Sequence, residues 1–126
     1  MKPLTFELAA LMLERVRAHG GDGTIGFQRL FEGHAREGAW NFVDYAVLPP
    51  GASIGRHTHG DEEELYLVLE GRGTMFLEGR EFPVQAGSVV LNPRGGTHGL
   101  RNDSDAPLRL FVVEVPCRRG QESNDG

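Results

Sequence analysis

The sequence predicts an all-β fold in a single domain. Its 126 residues are enough to enclose one hydrophobic core. The 18 glycines and 7 prolines are typical of short strands joined by many turns. From Thr24 onward, short segments that we expect to form strands alternate with turn residues: TIGFQRLF, WNFVDYAVL, the stretch that ends in ELYLVLE, TMFLEG, SVVLN, THGLRN and LRLFVVEV. This punctuation favours a sandwich or barrel over an alternation of strands and helices.

Residues 1–20 are the exception, because their apolar positions recur near a helical period. Gly20 and Gly21 then supply a stop signal. We therefore expect an N-terminal helical segment, with a helix from about residue 5 to residue 19 on the outside of the domain. The periodic positions are Leu4, Leu8, Leu11, Met12 and Val16.

Residues 21–116 are expected to form the β domain itself. Turn-forming sequences lie at residues 49–51, 71–73, 78–80, 86–87, 94–96 and 102–104. Residues 117–126 end in RRGQESNDG, which has no apolar residue, and this predicts a disordered polar tail.

Composition argues against two classes of partner. The formal net charge of −5 gives no general electrostatic reason to bind nucleic acid or an anionic membrane. No apolar run approaches the roughly 20 residues of a membrane-spanning helix. Cys117 is the single cysteine, so an intramolecular disulfide is impossible, and we expect a soluble cytoplasmic protein.

The stretch GASIGRHTHGDEEELYLVLEG, residues 51–71, contains two histidines two positions apart followed by four acids. On a helix His57 and His59 would point about 200° apart, whereas on a strand they share one face. Two residues of strand span about 6.6 Å, which allows both imidazoles to converge on one metal ion. The alternative, which this stretch alone leaves open, is that His57 and His59 are ordinary loop residues and that the acids are a solvated run.

The alternation of the following strand selects one acid. Glu64, Tyr66 and Val68 share one face, whereas Glu63 belongs to the other. The opposite face carries Leu65, Leu67 and Leu69, so both faces are largely apolar. We expect one face to line the core and the other to meet a second layer or a second copy in a homodimer.

A second block, GSVVLNPRGGTHGLRN, occupies residues 87–102. Together the two blocks resemble the cupin superfamily, whose motifs are GX5HXHX3-4EX6G and GX5PXGX2HX3N. The first motif is filled by Gly51, His57, His59, Glu64 and Gly71. The second motif is filled by Gly87, Pro93, Gly95, His98 and Asn102. The spacer of residues 72–86 resembles that of small single-domain cupins.

The resemblance implies a double-stranded β-helix, the jelly-roll barrel of cupins, holding one divalent metal ion. It implies that His57, His59, Glu64 and His98 are the metal ligands, and Glu64 agrees with the strand alternation. Three neutral imidazoles and one carboxylate would leave a net charge near +1 and two open positions on a six-coordinate ion. Mixed nitrogen and oxygen ligands suit Mn, Fe, Co, Ni or Zn.

This ligand set resembles that of oxalate decarboxylases and of several dioxygenases. The resemblance therefore implies a metal-dependent oxidoreductase or lyase acting on a small anionic or oxygenated organic molecule. The alternatives are a non-catalytic cupin that binds or senses a small molecule, and a metal-dependent isomerase. The sequence assigns no catalytic residue.

Several further residues are candidates for the ligand pocket. Tyr66 and Leu100 follow by alternation from Glu64 and His98, and plain core packing is the alternative explanation for the apolar candidates. Arg56 and Arg94 flank the motifs and could bind a carboxylate, or lie in solvated turns. We expect His19 and His34 at the surface, and Asn102 as the cap of a turn. The remaining apolar candidates are Trp40, Phe42 and Phe111.

Overall fold

The computed structural model describes residues 3–117 and contains ten β-strands. Residues 118–126 of the predicted tail lie outside the described part. The strands are β1 Glu14–Val16, β2 Ile25–Glu32, β3 Phe42–Leu48, β4 Ser53–Thr58, β5 Glu62–Glu70, β6 Arg72–Leu77, β7 Arg80–Gln85, β8 Val89–Asn92, β9 Thr97–Arg101 and β10 Leu108–Pro116.

The strands form two antiparallel sheets. One has six strands in the order β1-β2-β3-β10-β5-β8, and the other has four in the order β4-β9-β6-β7. A single core joins them, because it includes Tyr66 and Leu110 from the first sheet and Met75 and Leu100 from the second. The all-β expectation is confirmed, and closure of the sheets into a β-helical barrel stays a prediction.

The N-terminal helix prediction is wrong. Residues 8–10 form one 3-10 turn, and residues 14–16 form β1, which pairs with β2. Leu4 and Met12 are 64% and 92% exposed, although a helix packed on the domain would bury them. Leu13 instead contacts Gly26 of β2. Pairing with an otherwise open sheet edge satisfies backbone groups, and this outweighs the helical period.

The helical elements of residues 3–117 are this turn and a second 3-10 turn at Gly33–Ala35. Within that range, no helix has the length and apolarity that a membrane crossing requires.

The alternation predicted for β5 is confirmed. Glu64, Tyr66 and Val68 are buried, whereas Leu65 and Leu69 on the other face are exposed. The inner face of β5 therefore carries Glu64 into the space between the sheets, with the half-buried Glu62 on the same face at the start of the strand.

Candidate metal centre

Four side chains converge between the two sheets. His57 lies near the end of β4 and faces His98 of β9 in the strand register, while His59 follows β4 directly. Glu64 reaches the same point from β5 of the other sheet. One potential ligand atom of each residue lies within 4.8 Å of the others. The structure thus brings together the four residues that the sequence singles out.

Glu64 is central to this cluster. Its Oε1 lies 3.2 Å from Nε2 of His59 and 3.3 Å from Nε2 of His98. The ring of His57 lies 4.3 Å from that of His98, centre to centre. Nitrogen lone pairs and a carboxylate oxygen at these distances repel one another unless a proton or a cation lies between them.

The donor set fits a divalent metal ion. His98 is completely buried, and within the described residues neither of its ring nitrogens has a hydrogen-bond partner. Such an unpartnered polar atom destabilises a fold unless another species satisfies it. Three imidazoles and one carboxylate are the ligand types of Mn, Fe, Co, Ni or Zn.

Two of the imidazoles, those of His57 and His98, are also in the protonation state that a metal needs. Burial lowers the pKa of His57 to about 4 and that of His98 to about 3. Both are neutral at pH 7, as metal ligation requires. Nδ1 of His57 donates to the carbonyl oxygen of Gly55 at 2.8 Å, which leaves Nε2 as the free ligand atom.

The same pKa shifts predict that the metal-free protein loses stability in acid. A histidine whose pKa is lower in the folded protein than its ordinary value of 6.5 contributes stability above pH 6.5, where it is neutral in both the folded and the unfolded state. For His57 this contribution is lost as the pH falls from 6.5 to about 4. The melting temperature in EDTA should therefore fall across this window. In His98→Gln the melting temperature should fall less steeply with pH. An unchanged slope would contradict the assignment of this acid sensitivity to the buried histidines. His34→Gln, at an exposed position, is the control.

The family follows from a direct match. Residues 44–114 match the Cupin domain family. The chain belongs to the cupin family. The match covers more than half of the 126 residues and includes all four clustered side chains.

Known proteins resemble this cupin over most of its length. The oxalate-binding protein of Thermotoga maritima is 31% identical over 96 residues, covering 76% of this chain and 79% of the relative. An uncharacterised protein of Methanocaldococcus jannaschii is 30% identical over 95 residues, covering 75% of each chain. The crystal structure of a predicted oxalate decarboxylase from Thermotoga maritima superposes with a TM-score of 0.84 at 27% identity, covering 90% and 99% of the two chains.

In this cupin His59 also faces two carboxylates outside the cluster of four. Its Nδ1 lies 3.4 Å from Oε1 of Glu62 and 3.8 Å from Oε1 of Glu114. Burial raises the pKa of Glu114, and the charges of Glu64 and Glu62 raise it further. With its Nδ1 hydrogen directed at these acids, His59 presents Nε2 to Glu64.

We expect the double variant Glu62→Ala/Glu114→Ala to bind divalent metal about 10- to 100-fold more weakly, as is typical when the partner of a ligating histidine is lost. Metal titration followed by calorimetry measures the change. Glu70→Ala, at the far end of β5, is the matched control. An affinity equal to that of the parent would show that His59 needs no carboxylate partner.

His19 is exposed, as the sequence predicts, yet it contacts the metal cluster. Its ring stacks on His57 at 3.5 Å with an angle of 8°. The backbone holds it there, because the amide of Gly55 donates to the carbonyl of Ala18 at 2.9 Å. A Cβ at Gly55 would overlap the carbonyl oxygen of His19, so this approach requires glycine. Sequence reasoning missed the contact, since no motif links the two segments.

A cavity of about 320 Å³ opens beside the cluster. Glu64 and His19 line it, so the cavity borders the candidate metal site. Tyr66 and Phe42, two predicted pocket residues, also line it. The other lining residues are Val16, Arg17, Ala18, Ile25, Phe27, Arg29, Asp44, Ala46, Ile54 and Val112.

The cavity wall also contains an ion pair between the exposed Arg29 and the buried Asp44, which the sequence patterns do not predict. Nε and Nη2 of Arg29 donate to the two carboxylate oxygens of Asp44 at 2.9 and 3.0 Å. Burial is the main cause that raises the pKa of Asp44, and the hydrogen bond from Arg29 opposes it. A lone acid in the apolar strand FVDYAVL was the available signal, since buried charges usually have partners.

The remaining predicted pocket residues lie elsewhere. Leu100 and Arg56 line a different cavity, where Arg56 stacks on Phe76 and pairs with Glu81. Trp40 packs edge-on against Phe31. Phe111 pairs with Tyr45 and Leu67, on the side of the sheet opposite Glu64. Arg94 lies 3.9 Å from Asp61.

Proposed function

We propose that this cupin holds one divalent metal ion through His57, His59, Glu64 and His98 and binds a small anionic or oxygenated organic molecule beside it. The unpartnered, fully buried His98, facing Glu64 at 3.3 Å, is the observation that carries this proposal. The oxalate-binding relative, similar over most of both chains, supports an acidic ligand.

We favour a metal-dependent enzyme of the decarboxylase, other lyase or dioxygenase type. A bound divalent ion supplies Lewis-acid polarisation of a carboxylate or carbonyl group. Tyr66 lies beside Glu64, and burial raises the pKa of its phenol well above the ordinary value. It therefore keeps its proton at neutral pH and can donate a hydrogen bond to a ligand in the cavity.

Non-catalytic binding is the second candidate, and one observation favours it. Glu64 and Asp44 are the carboxylates among the residues that line the cavity, and Asp44 is held by two hydrogen bonds from Arg29. A carboxylate held in this way is not free to exchange a proton with a ligand. A binding protein needs no such group.

The deciding experiment is elemental analysis of protein purified without added metal, combined with turnover assays. About one equivalent of Mn, Fe, Co, Ni or Zn supports the proposal, and absence of any bound divalent metal contradicts it. Oxygen uptake and carbon dioxide release would then be measured over a panel of small oxo acids, hydroxy acids, diketones and phenols. Turnover identifies an enzyme, whereas tight binding without turnover identifies a binding protein.

We also propose that this cupin is a cytoplasmic homodimer. The outer face of β5 and β8 supports the dimer. Leu65 and Leu91 are neighbours there and are 42% and 49% exposed, and Val89 is 65% exposed. Clustered apolar surface of this kind is typical of an interface.

The double variant Val89→Lys/Leu91→Lys should therefore dissociate the dimer, raising its dissociation constant at least tenfold, since each lysine would bury a charge without a partner. Light scattering after size exclusion measures the mass. Met12→Lys changes an exposed apolar residue far from this face and should stay dimeric. A monomeric parent protein, or a variant that remains dimeric, would contradict the proposal.

A further inference from the structure

The cavity beside the metal cluster is more apolar than oxalate requires. Its volume of about 320 Å³ lies within the usual range of small-molecule pockets, about 300–1,000 Å³. Most of its wall is hydrocarbon, contributed by Ile25, Phe27, Phe42, Ala46 and Val112 among others. Oxalate consists of two carboxylates and has no hydrocarbon to cover this wall. A ligand with an apolar body would displace water from it.

Two arginines line the cavity, and both already have hydrogen-bond partners, which disfavours a second carboxylate on the ligand. Arg17 donates from Nη1 to the carbonyl oxygen of Gly21 at 2.8 Å. Arg29 is held by both oxygens of Asp44, and its guanidinium lies 3.9 Å from the centre of the Phe42 ring. Asp44 is only 5% exposed. A ligand carboxylate that replaced Asp44 as the ion-pair partner of Arg29 would leave Asp44 buried without a partner, which is strongly unfavourable. The pair thus presents little net charge to the ligand.

The polar end of the ligand belongs at the β5 side of the cavity, which β10 separates from Arg29 on β2 and Asp44 on β3. Glu64 connects the cavity with the metal cluster, and the neutral phenol of Tyr66 lies one inward position further along β5. An anionic head that chelates the metal would meet Tyr66 as a hydrogen-bond donor. Its side chain would then extend over the apolar wall.

We infer that the ligand is a 2-oxo or 2-hydroxy monocarboxylate with a branched-alkyl or phenyl side chain. The head provides two adjacent oxygens for the open metal positions, and the side chain covers the wall formed by Phe27, Ala46 and Val112. This inference rests on the proposed function, because the head group requires the metal.

Calorimetric titration of the Mn²⁺-loaded protein tests the ligand class. We expect 4-methyl-2-oxopentanoate and phenylpyruvate to bind at least about tenfold more tightly than oxalate or 2-oxoglutarate, because burying two or more methylene groups accounts for such a factor. Equal affinities, or a preference for either dicarboxylate, would overturn the inference.

A matched pair of variants locates the side chain. Ala46→Leu narrows the cavity and should remove the advantage of the larger ligands while leaving oxalate binding within about twofold. Val47→Leu adds bulk on the opposite face of β3 and should change neither affinity. If Ala46→Leu weakens oxalate and phenylpyruvate equally, the side chain lies elsewhere and the inference fails. Thermal unfolding of both variants verifies that they are folded.

Failure of the ligand class can be distinguished from failure of the proposed function. Binding of Mn²⁺ alone, followed by electron paramagnetic resonance, reports on the metal site without any organic ligand. Protein that binds Mn²⁺ but prefers oxalate overturns only the ligand class. Protein that binds no divalent metal overturns both.

Discussion

Replacing Glu64 with alanine should weaken divalent metal binding by more than about 100-fold. Loss of the hydrogen-bond partner of a metal ligand typically weakens metal binding about 10- to 100-fold, and loss of a ligand itself should weaken it further. Glu64 supplies the carboxylate charge that compensates the cation, and its Oε1 lies within 3.3 Å of Nε2 of both His59 and His98. Metal content after dialysis and titration with Mn²⁺ measure the loss.

Glu63→Ala is the matched control, since it removes the same side chain one position earlier on β5. Glu63 belongs to the opposite face of the strand, so metal affinity should stay within about twofold of the parent. Glu64→Gln separates charge from shape, because it keeps the volume and removes the anion. Equal losses in Glu63→Ala and Glu64→Ala would refute the assignment of Glu64 as ligand.

The choice between these two acids could be made from the sequence because it depends on local geometry. Alternation along one strand places Glu64 inward, and the spacing to Gly71 in the cupin motif selects the same residue. The cupin motifs also name His57 and His98, which lie opposite each other as register partners of β4 and β9. The choice of Glu64 follows from the period of a strand, whereas the pairing of His57 with His98 follows from the resemblance.

Apart from Glu64, Tyr66 and Phe42, the cavity residues could not be predicted in the same way, because they come from segments distant in the chain. Arg29 and Asp44 lie on β2 and β3, and His19 is brought onto His57 by backbone hydrogen bonds to β4. Nothing in the local pattern of any one segment encodes these pairings. Conversely, Phe111 satisfied the apolar pattern but lies on the outer side of its sheet, because alternation along β10 does not by itself tell which face is inward.

Two strands escaped the sequence analysis for identifiable reasons. β1 lies in a segment whose leucines repeat near a helical period, and pairing with β2 decided its conformation. β7 contains Pro83, which cannot donate a ladder hydrogen bond. β7 lies at the edge of its sheet, where a missing donor is tolerated. In both cases tertiary pairing overrode local preference.

The largest loss of stability is expected for Asn102→Ala. The residue is completely buried, and its amide nitrogen donates to the carbonyl oxygens of Leu48 and Ala106, each at 2.8 Å. Its side-chain oxygen accepts from the amide and the hydroxyl of Ser104 at 3.0 and 2.7 Å. The expected role of Asn102 as a turn cap is confirmed, and the cap also ties the turn to the end of β3.

Alanine at position 102 would leave the carbonyl of Leu48 buried without this donor, and the turn without its internal bonds. Each such loss costs about 1–3 kcal/mol, so we expect roughly 3–4 kcal/mol in total and a fall in melting temperature of about 10 °C or more. Asp105→Ala, at an exposed position of the same turn, should change the melting temperature by less than about 2 °C. Metal affinity of folded Asn102→Ala should be unchanged, because Asn102 lies beyond the end of β9 that is remote from His98. A melting temperature equal to that of the parent would show that water replaces the bonds of Asn102, and weaker metal binding at full stability would assign Asn102 to the site instead.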